Sequence, residues 1–199
     1  MVAVRLAALA VLASTVAAEP ALRAHSAVKA GAPYGGDIGP FQQCKSGIVG
    51  LQTDTGKWLS RCNGCSPNAA YPDQLTMHMD NPDNIWSRWV VRLLPNGKIG
   101  LETFDTRRFV ARCNGCHKQG AYPDAAFGHV DDLPSAPWAQ WTVLPISGDV
   151  VALQSDLGKY LARCNGCVGG GAVPDFAFVH ETNPGNSWAQ FTVKCLPAN

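Results

Sequence analysis

The chain has 199 residues, of which 46% are hydrophobic and 16% charged, and its formal net charge is +1. This length suits one ordinary domain with a sizeable core, and the balanced charge gives no basis for binding nucleic acid or an anionic membrane surface. The 20 Gly and 14 Pro separate short apolar runs, a pattern typical of all-β proteins with many turns.

The first predicted element is a signal peptide at residues 1–18. One Arg precedes an apolar run that ends at Val16, and Val16 and Ala18 fit the two small-residue positions of a signal-peptidase site. The run is too short to span a bilayer comfortably, so we expect a secreted, extracellular protein without membrane insertion. Residues 19–43 are predicted to be an N-terminal tail or a pro-segment, and 19–40, rich in Ala, Gly and Pro, are given no role in the fold.

The remaining residues, 44–199, repeat three times with a period of about 51 residues. The segment RCNGC occurs at residues 61–65, 112–116 and 163–167. A Pro-Asp pair, a His and a Trp motif follow each copy at nearly constant offsets. Self-similarity at a fixed period predicts a repeat architecture in which each unit is one supersecondary structure.

Each repeat contains four predicted short strands. In the third repeat they read VVALQS, KYLARC, FAFVH and AQFTVKC, and corresponding segments occur in the other two repeats. Such runs are rich in aromatic and β-branched residues and are bounded by Asn, Gly, Pro or Asp, as strands are. One unit of this size cannot bury a core alone, but three can close into a barrel with threefold pseudosymmetry. The predicted fold class is therefore all-β.

The segments VVALQSDLGKYL, GKYLARCNGC and SWAQFTV of the third repeat resemble the fascin-like branch of the β-trefoil superfamily. The similarity holds in all three repeats. It implies a single β-trefoil domain over residues 44–199, with four-stranded repeats at about 44–95, 96–146 and 147–199. The family includes actin-bundling fascins, lectins, Kunitz-type protease inhibitors and cytokines, so the resemblance implies a fold without fixing a function.

The chain has eight cysteines, and an even number in a secreted protein favours complete pairing. The first and last strands of a β-trefoil are neighbours, so the resemblance implies a disulfide between Cys44 and Cys195. In the chain-entropy model a loop of that length contributes roughly 5 kcal/mol.

Three interpretations of the CNGC pairs are open at this point. In the first, each pair is a disulfide across a type I′ turn at Asn-Gly, which brings the two Cα atoms to about 5.5 Å. In the second, each Cys-x2-Cys holds zinc together with a downstream His and Asp. The third, a thioredoxin-like redox pair, needs a βαβ context.

Passage through an oxidising compartment favours the disulfides, so no metal and no cofactor are expected. The predicted pairs are Cys62–Cys65, Cys113–Cys116 and Cys164–Cys167.

Polar residues that recur at equivalent positions form the predicted ligand site. Arg precedes each CNGC, Asn lies inside it, and Asp and His follow, with Tyr in two repeats. Such groups can hydrogen-bond to a sugar and stack on it. The predicted ligand-binding residues are Arg61, Asn63, Tyr71, Asp73, His78, Arg112, Asn114, Tyr122, Asp124, His129, Arg163, Asn165, Asp175 and His180.

Each residue type also has a purely structural interpretation. Arg and Asp can form inter-strand salt bridges, and the His side chains can find hydrogen-bond partners near the core. The three tryptophans of the Trp motif are predicted to plug the barrel. They are Trp86, Trp138 and Trp188.

The sequence therefore predicts a secreted, monomeric, non-enzymatic protein that binds a glycan or polysaccharide through three equivalent sites. Catalysis normally relies on one set of groups, whereas the polar residues here follow the repeat, and the common hydrolase, phosphate-loop and zinc-protease motifs are missing from the sequence. Two alternatives remain. One is a trefoil-type protease inhibitor that uses a variable loop at 80–86, 131–137 or 181–187, and the other is a fascin-like actin-binding or structural protein.

Overall fold

The computed structural model describes residues 37–198, which contain twelve β-strands and four short 3₁₀ helices. The strands are β1 (Ile48–Gln52), β2 (Trp58–Asn63), β3 (Asp73–Met79), β4 (Trp89–Leu93), β5 (Ile99–Thr103), β6 (Phe109–Asn114), β7 (Asp124–Val130), β8 (Thr142–Ser147), β9 (Val150–Gln154), β10 (Tyr160–Asn165), β11 (Asp175–Glu181) and β12 (Phe191–Cys195). The 3₁₀ helices are Gly39–Gln43, Ile85–Ser87, Pro137–Ala139 and Ser187–Ala189. The all-β prediction is confirmed. The predicted signal peptide, residues 1–18, lies outside the described residues.

Six of the strands form a closed antiparallel ring, namely β1, β4, β5, β8, β9 and β12. β1 pairs with β4 and β12, β4 pairs with β5, and β9 pairs with β8 and β12. The ring closes between β5 and β8, where Ile99 and Trp141 exchange two backbone hydrogen bonds of 2.9 and 2.8 Å. Because the ring is closed, it has no unpaired strand edge with which a strand of another chain could pair.

The barrel core is filled by residues other than the predicted tryptophans. Trp86, Trp138 and Trp188 are 44%, 40% and 39% exposed, so that prediction is wrong. Each lies in a 3₁₀ helix just before the fourth strand of its repeat, outside the barrel wall. The fully buried aromatic residues come three residues after these tryptophans, where the barrel strands β4, β8 and β12 begin. They are Trp89, Trp141 and Phe191.

The N–H groups of the two buried indoles have hydrogen-bond partners. The N–H of Trp89 donates to the carbonyl of Leu59 at 3.2 Å, and that of Trp141 to Val110 at 3.1 Å. A buried tryptophan normally needs such a partner, because an unpaired indole N–H in a core is costly. Each bond also joins a barrel strand to the hairpin of its own repeat.

The second and third strands of each repeat form hairpins, β2–β3, β6–β7 and β10–β11. The third strands β3, β7 and β11 also pair with one another, so the three hairpins form one triangular cap. Their loops interlock in a cycle, since Ala70 donates to Cys116, Ala121 to Cys167 and Ala172 to Cys65 through backbone hydrogen bonds of 2.8–2.9 Å. Phe127, Phe176 and Phe178 fill the cap interior together with five of the six CNGC cysteines, all except Cys62.

All eight cysteines form disulfides, as predicted. Cys44–Cys195 links the segment before β1 to the end of β12, and β1 and β12 also pair along their length. The Cα–Cα distances across the three CNGC pairs are 5.5, 5.5 and 5.6 Å. Paired cysteines have no thiolate with which to bind zinc, so they do not fit the zinc interpretation. The thioredoxin-like interpretation lacks its βαβ context, since the helices of the described residues are all short 3₁₀ helices.

The predicted type I′ turn at Asn-Gly is wrong. Asn63 ends β2 and pairs with Asp73, so the strand continues into the CNGC segment. Gly64 adopts a φ of +73°, whereas Asn63 is not among the described residues with positive φ. The disulfide therefore spans the junction of strand and loop, where only the glycine needs the left-handed conformation.

The packed core extends further towards the N-terminus than expected. Ile38 and Phe41 are buried and pack in the barrel core with Cys44. Both lie in or beside the 3₁₀ helix Gly39–Gln43, inside the predicted tail. The expectation that residues 19–40 have no role in the fold is thus wrong for Ile38, because its side chain removes apolar surface from water. Within residues 37–198 no helix is both long and apolar enough to cross a membrane.

Candidate functional site

The arginine of each RCNGC segment is held first by an aspartate of its own repeat. In the third repeat, Arg163 Nη1 lies 3.1 Å from Asp175 Oδ1, and the Asn165 amide donates to the same oxygen at 2.9 Å. The strand register brings these groups together, because Asn165 pairs with Asp175 at the end of the β10–β11 hairpin. The corresponding triplets are Arg61, Asn63 and Asp73 in the first repeat and Arg112, Asn114 and Asp124 in the second.

A second aspartate comes from the next repeat. Arg163 Nε and Nη2 donate to the two carboxylate oxygens of Asp54 at 2.9 and 3.0 Å, a bidentate geometry that is among the strongest for ion pairs. The other two bridges of this kind are Arg61–Asp105 and Arg112–Asp156. We call these three bridges the Arg–Asp ring, since they link the first repeat to the second, the second to the third and the third to the first.

The electrostatics of the Arg–Asp ring are those of stable ion pairs. Hydrogen bonds from Arg163 hold the pKa of Asp54 below its usual value, and those from Arg112 do the same for the pKa of Asp156. The arginine side chains are only 10–18% exposed. The structural interpretation of Arg and Asp therefore holds, because their charges are directed at one another and join the repeats.

The predicted site residues did not include Asp54, Asp105 and Asp156. Their signal was present, because they are spaced by the same 51 residues as RCNGC and each follows the first strand of its repeat. The sequence alone does not show that each of these carboxylates forms an ion pair with an arginine of a different repeat.

The predicted tyrosines and histidines meet across repeat boundaries. The Tyr122 ring stacks on His180 with 4.2 Å between centroids, and Tyr71 packs against His129 at 4.5 Å. Val173 stands at the corresponding position of the third repeat, and Nδ1 of His78 instead lies 2.7 Å from the Thr76 hydroxyl. Burial lowers the pKa of all three histidines, which favours neutral rings at neutral pH.

Four of the predicted residues converge in an open pocket of about 330 Å³ at the boundary of the second and third repeats. They are Tyr122, Arg163, Asn165 and His180. Cys164, Glu181 and Trp188 complete the lining, and we call this the third-repeat pocket. The Trp188 indole N–H donates to Glu181 at 2.5 Å, which fixes the indole over the pocket wall.

Glu181 is ionised in this setting. Partial burial alone would raise the pKa of its carboxyl, but hydrogen bonds from the Asn183 backbone, the Asn186 side chain, the Trp188 indole and the Thr182 backbone together lower the pKa to about 2. Glu181 was not predicted as a site residue, because the equivalent positions of the other two repeats hold Met79 and Val130.

The tryptophan and the arginine are also neighbours in the other repeats. The Arg61 guanidinium lies 5.8 Å from the centroid of the Trp86 ring, within cation–π range. The 3₁₀ helix that carries Trp138 contacts β6, the strand of Arg112. Each repeat therefore presents an exposed indole beside its RCNGC strand.

No protein-family model matches the sequence, and no curated protein matches it. Solved structures do resemble the chain. The designed threefold-symmetric protein ThreeFoil shares 13% identity at a TM-score of 0.57, over 75% of this chain and 99% of its own.

A lectin from Polyporus squamosus, solved with a sialylated influenza-binding epitope, shares 13% identity at a TM-score of 0.58, over 75% of this chain and 49% of its own. The SDF2-like protein from Arabidopsis thaliana shares 16% identity at a TM-score of 0.59, over 76% of this chain and 96% of its own.

The fold is a β-trefoil. At these identities the likeness concerns the fold alone, and the narrower resemblance to fascins stays a prediction. In this β-trefoil the candidate sites lie on the outside of the hairpin strands, between the Trp-bearing 3₁₀ helices and the Tyr–His stacks.

Proposed function

We propose that this protein is a secreted, multivalent carbohydrate-binding β-trefoil whose three four-stranded repeats each present one sugar site. The observation that carries the proposal is the exposed tryptophan of each repeat, 39–44% accessible and held beside polar side chains. A large aromatic ring that stays partly in water, while other aromatic residues fill the core, is available to stack on a ligand. Its flat apolar face suits the C–H face of a sugar, and the neighbouring polar groups suit the hydroxyls.

The predicted site residues divide into two groups in this proposal. The Arg–Asp ring fixes the positions of the hairpins, and the ligand contacts fall to the Trp, Tyr, His and Asn side chains around it. The third-repeat pocket, at about 330 Å³, is near the lower end of the usual range for small-ligand sites, about 300–1,000 Å³. That size suits one or two sugar units of a longer chain.

Three sites on one rigid body suit a polymeric ligand. Binding of one unit raises the effective concentration of the next, so weak single sites give strong overall attachment. The glycan-bound Polyporus lectin has the same fold, which supports the proposal only at the level of architecture. Secretion is proposed on two grounds, namely the predicted signal peptide and the four disulfides.

The test is a sedimentation assay of the oxidised, purified protein with cellulose, chitin and β-glucan, followed by a glycan array. We expect saturable binding that free sugar competes away. The triple variant Trp86→Ala/Trp138→Ala/Trp188→Ala should lose it, because each substitution removes a stacking platform that lies outside the core.

The matched control is Ile146→Ala, which removes another exposed apolar side chain at the end of β8, outside the residues assigned to the three sites. Circular dichroism verifies that both variants keep the β-trefoil. Wild-type protein that binds none of these polymers, or a folded triple variant that binds as wild type does, would rule the proposal out.

A further inference from the structure

The third-repeat pocket differs from its counterparts by one charge. Glu181 follows His180 at the end of β11, and the corresponding positions of the first two repeats hold Met79 and Val130. Among the hydrogen bonds of the described residues, an exposed indole of the Trp motif donates to a carboxylate in the third repeat, from Trp188 to Glu181.

The carboxylate of Glu181 has no basic partner in the ion pairs found among the described residues. Its hydrogen bonds come from neutral donors, namely two backbone amides, the Asn186 side chain and the Trp188 indole. The Arg163 guanidinium of the pocket lining is already shared between Asp54 and Asp175. Lys159 acts electrostatically on His180 but forms none of the ion pairs found among the described residues. Because the two aspartates balance the charge of Arg163, the Glu181 carboxylate is the charge of the pocket lining that no ion pair neutralises.

The aromatic rings of the pocket reinforce this preference. Trp188 and Tyr122 are both 39% exposed. The face of an aromatic ring carries negative potential and attracts a cation, most strongly when the ring belongs to tryptophan. A ligand that brings a positive charge would be stabilised by the rings and by Glu181 together, and a negatively charged ligand would be repelled.

We propose that the third-repeat pocket selects a protonated amino sugar, such as the glucosamine units of a de-N-acetylated polysaccharide, over N-acetylated and acidic sugars. This inference rests on the proposed carbohydrate-binding function and specifies the ligand class of one of its three sites. The ammonium group would contact the Glu181 carboxylate beside the indole face, and the pyranose ring would extend over Tyr122.

The test measures dissociation constants by isothermal titration calorimetry at mildly acidic pH. The probes are glucosamine oligomers, N-acetylglucosamine oligomers and oligogalacturonates of equal length. Wild-type protein is expected to bind the glucosamine oligomer at least about tenfold more tightly than the N-acetylated one, the size of effect typical of a charge-assisted contact. The oligogalacturonate should bind most weakly.

The variant Glu181→Gln keeps the size of the side chain and removes its charge. It should therefore bind the glucosamine and N-acetylglucosamine oligomers with about equal dissociation constants. The matched control is Asp132→Asn, which makes the same change of charge on an exposed loop of the second repeat and should keep the preference. As a measurement that needs no variant, raising the salt from about 0.1 M to about 1 M shortens the Debye length from about 10 to about 3 Å and should reduce the wild-type preference several-fold.

The outcomes separate the two proposals. Equal affinity for amine and N-acetyl oligomers, or a preference that survives Glu181→Gln and high salt, overturns the amino-sugar inference and leaves carbohydrate binding in place. Absence of binding to every oligomer, for a protein that sediments with cellulose or β-glucan, overturns only the amino-sugar inference; absence of binding in both assays overturns both.

Discussion

At the scale of single residues, the Arg163 guanidinium shows why the predicted site residues do not all serve a ligand. It bridges Asp175 of its own repeat and Asp54 of the first repeat, and its side chain is 18% exposed. An arginine buried to this degree without its carboxylates would be strongly disfavoured. The same residue types that suggested sugar binding are thus explained by the contact between repeats.

The variant Asp54→Asn tests this explanation. We expect it to lower the free energy of unfolding by roughly 2 kcal/mol at neutral pH, less than for a fully buried pair because water still reaches the site. Urea unfolding of the oxidised protein measures the loss, and Asp132→Asn is the exposed control. A variant as stable as wild type would contradict the role given to the Arg–Asp ring.

The pH dependence of the same variant follows from the pKa of Asp54, which is lowered in the folded state. A lowered pKa means that the ion pair stabilises the fold at pH values above the unfolded-state pKa, about 3.9. The contribution disappears as the pH falls through the lower, folded-state pKa. The stability difference between wild type and Asp54→Asn should therefore shrink below about pH 4, whereas a purely steric effect would leave it constant.

At the scale of elements, the CNGC disulfides fix the junctions between the hairpin strands and the interlocked loops of the cap. The double variant Cys113→Ser/Cys116→Ser should cost roughly 2 kcal/mol, the loop-closure entropy of a four-residue ring. Hydrogen exchange should rise at Ala70, because its amide donates to the carbonyl of Cys116. The hairpin of the third repeat, whose disulfide is intact, is the internal control. Unchanged exchange at Ala70 would show that the strand pairing alone holds the loop.

Elements were predictable from the sequence wherever the signal was local. The alternation of apolar residues predicted the strands, and the Cys-x2-Cys spacing in a chain expected to be secreted predicted the three CNGC disulfides. The local sequence did not show which tryptophan of the Trp motif is buried, because Trp138 and Trp141 both suit a core. The 3₁₀ helix that carries Trp138 leaves it exposed, and Trp141 enters the core. The Arg163–Asp54 contact spans 109 residues and depends on closure of the ring. Glu181 was missed because repeat analysis detects what recurs, and this carboxylate occurs once.

At the scale of the whole molecule, the two ends of the domain are joined in three independent ways. β1 pairs with β12, Arg163 of the third repeat bridges to Asp54 of the first, and Cys44–Cys195 closes a loop with a sequence separation of 151 residues. The strand pairing and the ion pair act in the folded state. The disulfide acts chiefly on the unfolded chain, whose conformations it restricts.

The variant Cys44→Ala/Cys195→Ala should therefore keep the β-trefoil and its binding properties while losing up to roughly 5 kcal/mol of stability, the loop-closure entropy of the long ring. The loss should exceed that of Cys113→Ser/Cys116→Ser, since the entropy grows with loop length. Urea unfolding of both variants under identical oxidising conditions makes the comparison. Equal losses would mean that the unfolded chain is already compact enough to hold its ends together, and that strand pairing and the Arg–Asp ring, rather than the covalent link, close this barrel.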